Sequence, residues 1–172
     1  MRRLAVALSF SLVVLALIPA ATSARGPQKN DSVNGHGFVV FDPNTTYEFR
    51  VSAHTIGTTT TAATGNMYIQ AVYTYPTSTS TLSIWADVYC VSVQGYNGQV
   101  RGHIYRTEPS GAYAEPTDLV FDVSDYSSFS TLPDAMDATA ESIGTGCDPL
   151  IPPPGGTVPI AKGDISVTDE GP

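Results

Sequence analysis

The hydrophobic pattern of this chain is mainly an alternation of apolar and polar residues, which predicts β-strands. In Tyr47–His54, apolar residues occupy every second position and polar residues lie between them. Met67–Tyr75 and Val100–Tyr105 repeat the alternation. Because successive side chains of a strand point to opposite faces, each segment predicts one buried and one exposed face.

Leu82–Val93 is the longest alternating segment and gives the strongest strand prediction. Its even positions, from Leu82 to Cys90, are aliphatic or cysteine and are expected to face the core. The odd positions between them include Trp85, Asp87 and Tyr89, which are expected to share the opposite face. The Asn-Gly dipeptide that follows this segment is typical of a hairpin between antiparallel strands.

The remaining segments complete the prediction of an all-β fold. Further strands are expected around Val33–Phe41, Leu119–Val123, Val158–Ile160 and Asp164–Val167. Residues 132–143 differ, because their apolar residues recur at helical spacing; they predict a short helix or an irregular loop. We therefore expect a single antiparallel β-sandwich or barrel with one short helix near 132–143.

The first 24 residues have the pattern of a secretory signal peptide. Two arginines precede the apolar run Leu4–Ile18, Pro19 ends the run, and small residues up to Ala24 suit a signal peptidase. A membrane anchor is the alternative, but a spanning helix needs about 20 apolar residues. We expect a secreted protein with a signal peptide at 1–24, a flexible lead-in at 25–32 and one β domain at 33–172, without a membrane span after signal removal.

Charge and cysteine content narrow the functional classes. The chain has 8 Lys and Arg against 16 Asp and Glu, a formal net charge of −8. This balance argues against nucleic acid as a partner, because nucleic-acid binding needs a basic surface. Cys90 and Cys147 are the only cysteines, and in an exported protein we expect them to form one disulfide bond.

Several short motifs resemble a loose group of secreted bacterial all-β proteins. They are the opening Gly35-His36-Gly37-Phe38, the central Val88–Val93 followed by Gly95, and the final Gly163-Asp164-Ile165-Ser166-Val167. The resemblance covers most of the chain after the signal peptide. It implies a secreted β fold and no established activity.

The candidate ligand site is an aromatic face of the predicted sheet. Trp85, Asp87 and Tyr89 share that face, and Tyr68 and Gln70 are expected beside them on a neighbouring strand. An aromatic ring covers the apolar face of a sugar, while carboxylate and amide groups bind its hydroxyls. The alternative is a sheet buried on both faces, with Trp85 and Tyr89 in a second core layer.

Three chemical alternatives involve titratable residues. His36, His54 and His103 are candidates for a zinc site, although no close spacing joins them. His103 paired with Asp122 is a candidate for hydrolysis, although no nucleophile motif accompanies them. A loop calcium is the one cofactor considered, at oxygen-rich segments that also suit ordinary turns, namely Asp42–Thr46, Asp122–Asp125 and Asp134–Asp137.

These observations leave three hypotheses about function. The first is a non-catalytic extracellular module that binds a neutral glycan or another component of a cell surface. The second is a small barrel that carries an apolar ligand in its interior. The third is a hydrolase that uses paired carboxylates.

Overall fold

The computed structural model describes residues 30–57, 62–112, 117–142, 144, 147 and 157–169, and the regular elements among them are all β-strands. The predicted signal peptide lies outside the described residues. Within the described part of the chain, no helix is long and apolar enough to cross a membrane. In chain order the strands are β1 (Ser32–Asp42), β2 (Thr45–Thr55), β3 (Ala63–Tyr75), β4 (Ser78–Gln94), β5 (Asn97–Glu108), β6 (Thr117–Ser124), β7 (Ala135–Ser142) and β8 (Val158–Thr168).

The eight strands form one antiparallel sheet that closes into a barrel. Each strand pairs with the next, and β8 returns to pair with β1. The predicted all-β fold is confirmed, and of the two architectures considered the structure has the barrel. The interior is filled by apolar side chains, with Phe49 and Phe121 fully buried and in edge-to-face contact at 6.3 Å between ring centroids.

The alternating pattern predicts the inward faces of β2 and β5 correctly. Phe49, Val51 and Ala53 are buried on β2, and Val100 and Ile104 are buried on β5. The polar residues between them face outwards, as the two-residue period of a strand requires. Burial of the inward side chains stabilises the barrel by roughly 25 cal/mol per Å² of apolar surface removed from water.

The expectation of a short helix near 132–143 is wrong. Residues 135–142 form β7, which pairs with β6 from Ala135 to Ser142. Met136, Ala138 and Ala140 pack against the core from alternate positions, and Leu132, part of the expected helical stripe, is 61% exposed. The backbone of β6 needs a hydrogen-bonded neighbour on this side. That tertiary requirement outweighs the local helical propensity of the alanines in this segment.

The end of the chain also differs from its prediction. One continuous strand, β8, replaces the two short strands expected at Val158–Ile160 and Asp164–Val167. Its register with β1 shifts where Phe38 faces Lys162 and Val39 faces Ile160, which leaves one extra residue on β8. Such a bulge lets a strand bend without interruption.

A second bulge, at Tyr89 in β4, exchanges the inward and outward positions of that strand. Val88 pairs with Gly102 and Cys90 pairs with Arg101, so Tyr89 has no opposite residue. Ile84, Ala86 and Val88 lie in the apolar core cluster as predicted. Cys90 is fully buried but lies outside that cluster, because Val91 and Val93 take the inward positions after the bulge. The predicted disulfide between Cys90 and Cys147 is confirmed.

The seam between β7 and β8 is the weakest part of the barrel. Only Ala135 with Pro159 and Met136 with Val158 pair across it. Further along β8, the N–H groups of Ile165 and Val167 donate instead to the carboxylates of Asp134 and Asp125, at 3.0 and 3.1 Å. Two acidic side chains therefore occupy hydrogen-bonding positions that a neighbouring strand would otherwise fill.

Candidate functional site

The predicted ligand-binding residues lie on the outer surface of β3 and β4. Tyr68 on β3 is directly opposite Trp85 on β4, and Trp85 is opposite Arg106 on β5. Residues next to these in the chain, such as Met67 and Ala86, point into the barrel. The alternation of the strands therefore places the Tyr68 and Trp85 rings on the side away from the core.

Tyr68 and Trp85 form an aromatic pair. Their ring centroids are 5.2 Å apart and the planes are tilted by 45°. The Arg106 guanidinium carbon lies 4.5 Å from the Trp85 ring centroid, within range of a cation–π contact. Both rings are partly exposed, which favours the exposed aromatic face over the second core layer.

Polar residues flank the aromatic pair on both sides. On one side, the Gln70 amide donates a 3.1 Å hydrogen bond to the Ser83 hydroxyl. On the other, exposed Asp87 lies between Asn66 and His103 in the sheet and makes no side-chain hydrogen bond with a described residue. The pair is thus bordered by an amide and a hydroxyl on one side and a free carboxylate on the other.

Tyr89, the fifth predicted site residue, is not part of this aromatic pair. Its hydroxyl donates a 2.7 Å hydrogen bond to Asp118, and its ring stacks on His103 with centroids 4.3 Å apart. Desolvation by burial, reinforced by the hydrogen bond to Asp118, raises the pKa of Tyr89 to about 12. The bulge places Tyr89 beside β5 and β6. The alternating sequence pattern does not predict this change in register.

Asp118 on β6 is the centre of a second polar cluster. Its carboxylate is fully buried and contacts His103 Nδ1 at 2.7 Å, the Gly144 N–H at 2.9 Å and the Arg101 guanidinium at 3.8 Å. Burial alone would raise the pKa of Asp118. The hydrogen bonds from Gly144, Tyr89 and His103 together outweigh that effect and hold the pKa below its usual value.

The cluster corrects the pairing expected for His103. Asp118, not Asp122, is the acid that contacts His103, since these two residues face each other across β5 and β6. Asp122 instead accepts a 2.9 Å hydrogen bond from the Gln99 amide, and burial raises its pKa. Neither Asp118 nor Arg106 was predicted from the sequence. The outward position predicted for His103 was the one signal for Asp118, because an outward histidine can pair with an acid on the neighbouring strand.

The three histidines lie on different parts of the barrel: His36 on β1, His54 near the end of β2 and His103 on β5. Among the described residues, no three His, Cys, Asp or Glu side chains are grouped so as to hold a metal ion. Apart from Asp122, the acids of the calcium-like segments contact backbone donors. Asp42 accepts the Asn44 N–H at 2.7 Å, and Asp125 accepts the Ser128 N–H at 3.0 Å.

Comparison of this chain with protein-family models, with curated proteins and with solved structures finds no match. Function is therefore inferred from the geometry of the outer surface: a partly exposed aromatic pair, a cation over one ring and polar groups on either side.

Proposed function

We propose that this protein is a secreted, non-catalytic β domain that binds a neutral glycan through Tyr68 and Trp85. The observation that carries the proposal is the partly exposed aromatic pair, bordered by Gln70 and Asp87. Sugar recognition uses this combination, because the C–H face of the ring packs on an aromatic side chain while its hydroxyls bind polar groups.

Arg106 controls access to the indole ring. Its guanidinium lies over Trp85 and also contacts Glu108, yet the Arg106 side chain is 56% exposed. An arginine this exposed loses little when it moves, because surface ion pairs contribute roughly 0–1 kcal/mol. A sugar ring displaces the guanidinium from the indole face, and the guanidinium then donates hydrogen bonds to the sugar hydroxyls.

Secretion is part of the same proposal. The pattern of residues 1–24 is typical of a signal peptide, and the disulfide between Cys90 and Cys147 fits an oxidising compartment. The resemblance to secreted bacterial all-β proteins supports an extracellular partner, such as a glycan of a cell surface.

The two other hypotheses have less support. Within the described part of the chain, two cavities lined largely by inward side chains measure about 70 and about 10 Å³, whereas a small-molecule site usually occupies ~300 Å³ or more. For hydrolysis, the buried acid Asp118 is already engaged by Tyr89, His103 and Gly144, so it has little capacity left to act on a substrate.

A glycan array followed by calorimetry tests the proposal. We expect the wild-type protein to bind at least one neutral oligosaccharide. Trp85→Ala and Tyr68→Ala should each weaken that binding about tenfold without a change in melting temperature. Tyr75→Ala is the matched control, since Tyr75 is 56% exposed at the end of β3, away from the pair. Unchanged binding in both variants, or unfolding of both, would reject the site.

A further inference from the structure

A groove of about 830 Å³ lies on a different part of the outer surface, along β1, β2 and β8. Its volume is within the range of about 300–1,000 Å³ that is common for small-molecule sites. The groove adjoins the aromatic pair, because Arg50 in its lining lies directly opposite Tyr68 in the pairing of β2 and β3, but neither Tyr68 nor Trp85 lines it. The groove is lined by Gly35, His36, Gly37, Phe38, Glu48, Phe49, Arg50, Lys162 and Gly163.

Three glycines contribute only backbone to the groove lining; at Gly35 and Gly37 an added Cβ would point toward core residues rather than into the groove. They also bring β1 close to its neighbours: a Cβ on Gly37 would lie 2.8 Å from the Phe49 ring and 2.9 Å from Ile160. A larger residue at position 37 would therefore push β1 away from the core. The apolar part of the groove includes Phe38, which is 38% exposed.

The groove also carries positive charge in a chain whose formal net charge is −8. Arg50 is engaged by Glu48 at 3.1 Å. Lys162 and His36, in contrast, make no side-chain hydrogen bond or ion pair with any described residue. Lys162 is exposed and lies directly opposite Phe38 in the pairing of β1 and β8.

We propose that this groove binds a small molecule with an apolar body and one carboxylate group. The Lys162 ammonium receives the carboxylate, and Phe38 packs against the apolar body. Charge complementarity supports this class of ligand, because Lys162, which has no partner among the described residues, lies beside an exposed aromatic ring. The groove shares no lining residue with the proposed glycan site, which it adjoins at Arg50 and Tyr68, and it opens on the outer surface.

Octanoate is the probe, and octanol is the neutral control with the same alkyl chain. In two-dimensional NMR, we expect octanoate to shift the amide resonances of Phe38, Arg50 and Lys162 in a saturable way. Octanol should bind about tenfold more weakly, because it lacks the charge that Lys162 recognises. Equal affinity for the two probes, or saturable shifts elsewhere only, would overturn the proposal.

Two variants of Lys162 separate the contribution of its charge to octanoate binding from that of its side-chain length. Lys162→Met should weaken octanoate binding about tenfold, and Lys162→Arg should retain most of it, because both keep a long side chain but only arginine keeps the charge. Tyr75→Ala is the control, since it changes an exposed side chain at the end of β3 that does not line the groove. If Lys162→Met, folded as judged by its melting temperature, binds octanoate like the wild type, the assignment of Lys162 is wrong.

Discussion

The hydroxyl of Tyr89 on β4 donates a 2.7 Å hydrogen bond to the carboxylate of Asp118 on β6, across the intervening strand β5. The same carboxylate contacts His103 on β5 and the N–H of Gly144, which follows β7. One buried acid therefore connects three strands and the segment after a fourth. Because the carboxylate has no exposed surface and several donors, we assign this cluster a structural role.

Replacement of Asp118 should be the most damaging change on the outer side of the barrel. We expect Asp118→Ala to lower the free energy of unfolding by about 3 kcal/mol, because Arg101 loses a buried partner and the Gly144 N–H loses its acceptor. Urea unfolding measures this difference. Asp87→Ala is the control; Asp87 is exposed on β4, and its replacement should change stability by less than about 0.5 kcal/mol. Equal effects in the two variants would contradict the structural role.

Tyr89 should ionise later than an ordinary tyrosine. Its pKa is raised from 10.0 to about 12, chiefly by burial and then by the hydrogen bond to Asp118. A raised pKa in the folded state means that the Tyr89 contribution to stability is complete below pH 10.0 and is lost as the pH rises towards about 12. The titration is measured by the ultraviolet absorbance of tyrosinate as the pH rises. The difference between the curves of the wild type and Tyr89→Phe is the titration of Tyr89. A midpoint near 10.0 would show that the phenol is not held as described.

At the seam between β7 and β8, ionisation of Asp134 and ionisation of Asp164 should have opposite effects on the free energy of unfolding. Burial favours a raised pKa for Asp134, but hydrogen bonds from Ile165 and Ser127 outweigh it and lower the pKa below 3.8. The pKa of neighbouring Asp164 is raised, first by its hydrogen bond with Asp134. The stabilisation by ionised Asp134 is thus present above pH 3.8 and is lost as the pH falls through its lowered pKa. The favourable contribution of Asp164 is present below pH 3.8 and is lost as the pH rises through its raised pKa.

Two asparagine variants test this arrangement by urea unfolding. At neutral pH, Asp134→Asn should lower the free energy of unfolding by about 2 kcal/mol, because a buried charged acceptor becomes neutral. The difference from wild type should shrink as the pH falls below 3.8. Asp164→Asn should instead raise stability at neutral pH, since its amide supplies a hydrogen-bond donor that an ionised Asp164 lacks and removes the repulsion between two carboxylates. Loss of stability in Asp164→Asn at neutral pH would contradict the assignment of the raised pKa to Asp164.

Much of the barrel could be predicted from local pattern, because the inward side chains recur every second residue. Phe49, Val51 and Ala53 show this directly on β2. The pattern misled at β7, where Met136 and Ala140 fit a helical as well as a strand period, and only the need of β6 for a neighbour decides between them. It also misled at Cys90, because a single bulged residue exchanges the two faces of the strand.

The candidate site could be predicted only in part, because its contacts depend on the pairing of separate strands. Tyr68 and Trp85 face each other because a short hairpin fixes the register of β3 and β4. Arg106 reaches Trp85 through a register shift in β5, and Asp118 reaches His103 through the pairing of β5 with β6. Contacts of this kind depend on how separate strands align, which alternation within one strand does not specify.

The central claim is that a neutral glycan binds at Trp85, and fluorescence tests it most directly because the chain contains one tryptophan. Titration of the folded protein with the oligosaccharide selected on the array should change Trp85 emission in a saturable way and protect the indole from collisional quenching by acrylamide. The Kd from this titration should match that from calorimetry. Calorimetric binding that leaves both the emission and the quenching of Trp85 unchanged would place the glycan elsewhere and contradict the account.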